Sequence, residues 1–348
     1  MDFELGPEEQ LLKESIADFA QSSFGPLRGA RSADVDWRTP WNAMTKMGLT
    51  GLLVPTQYGG SGGTLIDACI VAEELAKADA WLPFVGSSVV SVLGLQTDAA
   101  ANRDALARAA EGEVFSTLVD ERMEWSAGTF SLAFDWRPDA TILCLERDAV
   151  VAAERQAPIS VDITDFAHPL ARFPSVEVGP VNWAPELRIM RAAGWVVLAA
   201  WLNGLAMVAL GDAVAHAKTR QQFDAPIGSF QAIQHMCADM LVDIETSRSA
   251  TYAAAWTIAN GPLDEAEIAA AAAKAWCATT SVRVCEGSIQ IFGGIGITWE
   301  HAAHLRLRTS DQFRQALGAP DTLCRFVAAG RGLSTVGANG PARHTQAG

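Results

Sequence analysis

Apolar positions recur at helical spacing from the start of the chain. Leu11, Leu12, Ile16 and Phe19 form one stripe behind Pro7-Glu8-Glu9-Gln10, which reads as a helix start. The stretch GLLVPTQYGGSGG, from Gly51 to Gly63, carries too many glycines for regular structure and predicts a loop. Helical spacing resumes over Leu65 to Lys77, and one or two further helices are expected over 83–111. The pattern changes near residue 114. VFSTLVDE, FSLAFDW, ATILCLE and AVVAAE are short and partly alternating, with breaks at Gly128, Pro138 and Asp148, which are strand signals at hairpin-like spacing. This zone closes near Val181, after Pro158, Pro169, Pro174 and Pro180. At roughly 65 residues it is thin for an independent β unit. From Glu186 the period is helical again, over about 187–220, 230–259, 264–291, 302–316 and 320–331. Gly228, Gly261, the Gly293–Gly296 turn and Gly318-Ala319-Pro320 separate these long patterns, and the short connections predict an up-down bundle. The expected fold is mainly α: an N-terminal helical domain (1–112), a shortened middle β domain (113–183), a C-terminal four-helix-bundle domain (184–334) and a mobile glycine-rich tail (335–348).

The length of 348 residues suffices for two or three packed units. With 49% apolar and 19% charged residues, global disorder is excluded. Forty acidic against 26 basic side chains give a formal charge of −14. No basic stripe is available for nucleic acid, and an anionic membrane surface is equally disfavoured. The six cysteines, Cys69, Cys144, Cys237, Cys277, Cys285 and Cys324, form no CxxC pair and read as reduced thiols of a cytoplasmic protein. The opening Met-Asp-Phe-Glu has neither a basic nor an apolar signal region. Ala192 to Gly211 runs for 20 residues without a charge, the length of a membrane span. Gly194, Asn203, Gly204 and Gly211 interrupt it, and Asp212, His216, Lys218 and Arg220 continue the same helical pattern. The stretch therefore reads as a helix buried within a bundle, covered further by oligomerisation, not as a span.

Two segments carry candidate chemistry: TRQQFDAPIGSFQAIQHMCADM (Thr219–Met240) and SIQIFGGIGIT (Ser288–Thr298). Arg220 ends a long helix beside Phe223 and a turn. A guanidinium is a permanent forked cation suited to diphosphate oxygens, although an arginine there also simply favours the helix dipole. Gly293, Gly294 and Gly296 let a backbone approach a ligand closely, or serve only as a helix C-cap. Gln290 offers an amide to a purine edge. His301 and His304 lack a third ligand, so no metal site is expected.

Together with the early GLLVPTQYGGSGG, these two segments resemble the acyl-CoA dehydrogenase family. The resemblance covers the first hundred or so residues and nearly all of 190–330. It implies that Arg220, Phe223, Gln231, Gln290, Gly293 and Gly294 cradle the diphosphate and adenine end of an FAD held mainly by a neighbouring subunit. Asp224 stands where the family usually has glycine. The family's Thr-Glu-Pro-Gly-x-Gly-Ser-Asp-like stretch is replaced by Leu118-Val119-Asp120-Glu121-Arg122-Met123-Glu124-Trp125, and its Trp-x-x-Asn-Gly-like strand is missing. The two positions that carry the catalytic glutamate in different family members are here Leu317 and Gly194, neither of which accepts a proton. Glu186, Glu286, Glu300, Asp311 and Asp321 read as helix-surface or capping carboxylates.

What the resemblance implies is a non-catalytic companion subunit that lends an FAD half-site to a homologous catalytic subunit. The pair would desaturate an acyl-CoA thioester, in the manner of the α2β2 acyl-CoA dehydrogenases of bacterial steroid side-chain degradation. The alternatives are a self-sufficient homo-oligomeric dehydrogenase with a displaced base, and a flavin-free scaffold derived from the family.

Overall fold

A computed structural model describes residues 5–24, 36–125, 128–153, 157–162, 165 and 168–333. Helix α1 (Pro7–Ser23) starts at a proline, and the Glu9 carboxylate reaches back to the Gly6 N–H at 2.7 Å. Ile16 and Ala20 point it inward. After α2 (Arg38–Lys46) comes the glycine-rich loop, which contains one short 3-10 turn (Thr56–Tyr58) as its composition predicts. Thr64 and Asp67 form a reciprocal capping box at the start of α3 (Leu65–Lys77). The segment Phe84–Ser91 is π-helical and all eight of its residues are buried. Short helices α4 (Val92–Leu95) and α5 (Arg103–Ala110) complete the N-terminal part.

Six strands follow: β1 (Phe115–Val119), β2 (Gly128–Ala133), β3 (Thr141–Glu146), β4 (Ala149–Ala152), β5 (Ser160–Asp162) and β6 (Leu170–Val178). Their order in the sheet is β4-β3-β1-β2-β6-β5. The hairpin-like spacing is misleading at one point, because β1 pairs parallel with β3 while β2 lies antiparallel on its other edge. Strand β6 falls in the proline-rich stretch that closes the expected strand zone. It forms because Pro174 sits where the register jumps, between the Phe130–Val176 and Leu132–Arg172 pairs, so no ladder hydrogen bond is demanded of it.

The C-terminal part is built on α6 (Pro185–Thr219), a helix of 35 residues. A two-residue hairpin, β7 (Gln221–Gln222) and β8 (Ala225–Pro226), leads to α7 (Gln231–Asn260) and α8 (Leu263–Phe292). A 3-10 turn (Gly293–Ile297), α9 (Ala303–Gln315) and α10 (Pro320–Gly330) end the described chain. The expected helix at 187–220 is thus α6. Every residue from Ala192 to Ala206 is buried by the rest of the protein. Among the described residues α6 is the one helix long and apolar enough to cross a membrane, and 89% of its apolar window is covered by other parts of the chain.

Inside this apolar packing a small polar cluster sets the helix register. Ser247 donates to Asn203 Oδ1 at 2.6 Å, Asn203 Nδ2 donates to Thr251 at 2.9 Å, and Thr251 meets Cys277 Sγ at 3.3 Å. Each group is satisfied, so the cluster aligns α6, α7 and α8 without leaving an orphan. The α3–α6 crossing depends on Gly204. A Cβ there would stand 2.3 Å from the Glu73 carbonyl oxygen and 2.7 Å from the Ala76 Cβ. Gly204→Ala is expected to lower stability by about 1–3 kcal/mol, read as a lower urea midpoint with an unchanged slope.

Candidate functional site

At one end of the bundle α6 runs out at Arg220, whose backbone turns extended (φ −70°, ψ 125°) and enters the β7–β8 hairpin. The two tip residues, Phe223 and Asp224, are both left-handed, with φ of 52° and 63°. Such a turn favours glycine at its second position, and this chain has an aspartate there. Phe223 is 89% exposed and meets Phe230 edge-on at 6.1 Å. Arg220 and Asp224 are exposed, and neither makes an ion pair with a described residue. Gln231 is the exposed first residue of α7.

Helix α8 ends beside them. Gly293 caps it at φ 65° and ψ −140°, a conformation open essentially to glycine alone. A Cβ at Gly293 or Gly294 would find nothing within 4 Å, so open space lies over this turn, and Gln290 is exposed beside it. Tilted ring contacts join the two helix ends. His216, one turn before Arg220, lies 4.6 Å from Phe292, and Phe292 lies 3.9 Å from His301. Burial pushes the His216 imidazole down, and the Arg220 charge adds to this. The six residues implied by the resemblance therefore sit on one exposed end of the bundle.

The two candidate base positions converge as well. Leu317 is 3% exposed. A Cβ on Gly194 would stand 2.9 Å from Leu317 Cδ1 and 3.2 Å from Val90 Cγ2. Residues far apart in sequence thus define one spot, and it is filled with hydrocarbon. The backbone there is held shut. The Leu317 N–H donates to the Met123 carbonyl at 2.7 Å, and the Trp195 indole donates to the Leu317 carbonyl. Buried Lys274 donates to the Arg314 and Gly318 carbonyls at 3.1 and 3.4 Å, and burial pushes its ammonium down to about 7.

The turn between β1 and β2 is likewise folded on itself. Asp120 accepts from the Arg122 and Glu124 N–H groups at 2.8 and 2.9 Å, and the Trp125 indole donates to Leu118. Those two backbone donors are therefore spent within the turn. A cavity of about 260 Å³ remains beside Leu317, walled by Trp125, Trp183, Trp195 and Phe326. Arg191 lies over the Trp183 ring at 3.9 Å and is ion-paired to Glu267.

Glu186, Glu286, Glu300, Asp311 and Asp321 are all exposed and do not line this cavity. Glu124 does line it; the sequence marks it only as part of a departing stretch. Two buried polar clusters had no signal in the sequence. Arg306 clamps Asp79 through two 2.7 Å bonds and reaches Asp212 at 2.8 Å. His168 Nδ1 pairs with Asp135 at 2.9 Å. Among the described residues no group of three metal-ligating side chains is present.

Residues 6–113 match the family described as acyl-CoA dehydrogenase, N-terminal domain, and residues 190–331 match acyl-CoA dehydrogenase, C-terminal domain. Acyl-CoA dehydrogenase IpdE2 of Mycobacterium tuberculosis is 33% identical over 332 residues, which is 92% of this chain and 96% of that protein. The chain belongs to the acyl-CoA dehydrogenase family, whose members are FAD-dependent. Acyl-CoA dehydrogenase FadE34 of the same organism is 34% identical over 304 residues; these are 84% of this chain and 42% of FadE34, so the chain spans less than half of that relative. The same fold is found in the ChsE4-ChsE5 complex from Mycobacterium tuberculosis, at a TM-score of 0.79 and 21% identity, covering 97% of this chain and 100% of that one.

Proposed function

We propose that this chain is the non-catalytic subunit of a heteromeric, FAD-dependent acyl-CoA dehydrogenase, lending an FAD half-site to a homologous catalytic subunit. One observation carries the reading: Leu317 and Gly194 meet in an apolar spot sealed by the Leu317–Met123 bond, while the half-site at the bundle end is exposed. The residues at that end suit the cofactor. Arg220, without an ion pair among the described residues, would hold the diphosphate. Phe223 would pack on the flat or ribityl part, the open surface over Gly293 and Gly294 would admit the backbone-close portion, and Gln290 and Gln231 would meet the adenine end. When bound, FAD supplies the hydride acceptor for α,β-desaturation of the acyl-CoA, and the proton-accepting carboxylate belongs to the partner. The division at 1–112, 113–183, 184–334 and 335–348 and a cytoplasmic location belong to the same proposal.

The test is purification with and without the product of the neighbouring reading frame. The complex should be yellow with one FAD per pair of different chains, and the chain alone colourless. A chain that is yellow alone and oxidises an acyl-CoA overturns the reading. Asp224 places a carboxylate near the diphosphate position. Asp224→Gly is therefore expected to tighten FAD binding by the complex a few-fold, measured by flavin fluorescence titration.

A further inference from the structure

The middle of α6 carries a donor that its surroundings do not satisfy. Trp201 lies in the uncharged run of the helix and is 1% exposed, and its indole N–H has no hydrogen-bond partner among the described residues. An indole donates and cannot accept, and buried polar groups are hydrogen-bonded in the great majority of cases. The two rings against it do not take the bond. His168 meets Trp201 edge-on at 5.2 Å, and Phe313 is tilted to it at 5.9 Å.

Trp201 is one wall of a cavity of about 10 Å³. The other polar walls are Asp79, His168, Arg306 and Thr309, none more than 8% exposed, so the cavity is internal. They reach it from just after α3, just before β6, and α9. A space of this size holds about one water molecule and nothing larger.

The hydrogen-bonding capacity of these walls decides what fits. Arg306 spends three of its N–H groups on Asp79 and Asp212. Each Asp79 oxygen accepts one of those bonds and keeps a further lone pair. A carboxylate only accepts, so the 2.9 Å contact to Asp135 takes the Nδ1–H of His168 and leaves its Nε2 as an acceptor. The Thr309 hydroxyl donates to the Leu305 carbonyl at 3.4 Å, and its oxygen can still accept. A metal ion would meet the guanidinium and the indole N–H, which cannot ligate it, and an anion would meet the Asp79 carboxylate. A small neutral molecule that both donates and accepts suits all of these groups at once.

We infer that this cavity is a binding site for one water molecule, which accepts from the Trp201 indole and donates to His168 Nε2 and to Asp79 or Thr309. The water links the Asp79–Arg306 clamp to the His168–Asp135 pair. Elements from the N-terminal helices, the sheet region and the C-terminal bundle then share one hydrogen-bond network through the centre of α6. The site needs neither flavin nor a second chain, so its test is independent of the subunit reading.

The test is a high-resolution crystal structure of the full chain. One ordered water should lie within hydrogen-bond distance of Trp201 Nε1 and of at least two of Asp79, His168 and Thr309. A cavity without density, density that anomalous scattering assigns to an ion, or an indole turned onto the Phe313 ring overturns the inference. Solution NMR gives a second reading on uniformly ¹⁵N-labelled protein. The Trp201 indole proton, assigned by its loss in Trp201→Phe, should show cross-relaxation with water while exchanging slowly with bulk solvent. An indole proton with no water contact, or one that exchanges as fast as those of exposed tryptophans, overturns it as well. Should Trp201→Phe fail to fold, the crystal structure decides alone.

Discussion

Arg220→Ala in the two-chain complex is expected to cut FAD affinity roughly 10- to 100-fold, the equivalent of about 1.5–3 kcal/mol for hydrogen bonds to a charged group. The side chain is exposed and makes no ion pair with a described residue, so its removal leaves no buried orphan and the fold is unaffected. The loss should therefore appear in the ratio of flavin to protein absorbance after gel filtration and not in thermal stability. Arg220→Lys should recover part of the affinity, because a lysine keeps the charge but not the two-pronged geometry that matches a diphosphate. A flavin content unchanged in Arg220→Ala would show that the half-site is wrongly placed.

Arg306→Ala is expected to cost about 3–5 kcal/mol of stability, because it leaves a buried carboxylate without its counter-charge. Asp79 and Arg306 are only 6% and 5% exposed in their side chains, while Asp212 is 40% exposed and can turn to water. Burial already pushes the Asp79 carboxyl above its ordinary value of 3.8, against the pull of Arg306. Without that pull the folded-state value rises further, and the folded protein retains a proton that the unfolded chain has released. The added instability should thus be least in acid and grow as pH rises from about 3.8 through the raised folded value. Urea midpoints of wild type and variant across this range check the sign, and Asp79→Asn in the Arg306→Ala background should restore most of the loss. A pH-independent loss would mean that packing, not charge, is what the arginine contributes.

The long C-terminal helices were legible because their punctuation is local. Gly261-Pro262 and Gly318-Ala319-Pro320 stop one helix and start the next within a few residues, and α7, α8 and α10 begin and end close to the expected limits. The glycine-rich loop before α3 was legible for the same reason. What depends on distant partners was not. Phe84–Ser91 carries serines at helical spacing that would read as a solvated stripe, yet all eight residues are buried, Ser87 and Ser91 bonding to β1, and the segment adopts a π-helix. The parallel β1–β3 pair is a matter of topology, which strand spacing does not encode. The six residues proposed for the half-site could be named from their motifs, yet their gathering at one end of the bundle follows from how α6, α7 and α8 pack, with His216 of α6 against Phe292 of α8. The meeting of Leu317 with Gly194, the Arg306 clamp and the position of Glu124 beside the cavity join segments that no local pattern connects. The expected tail at 335–348 and the opening Met1–Glu4 lie outside the described residues.

The tight crossing at Gly204 has a consequence during synthesis. The surface of α3 that receives α6 is complete once Lys77 has been made, but Gly204 follows more than a hundred residues later. At about 5–20 residues per second, the ribosome takes on the order of 6–25 s to deliver it. For that interval Ala76 and the buried Glu73, which meet α6 at Gly204 in the finished protein, lack the helix that covers them. A nascent chain stalled before α6 therefore displays the α3 surface that the finished protein hides.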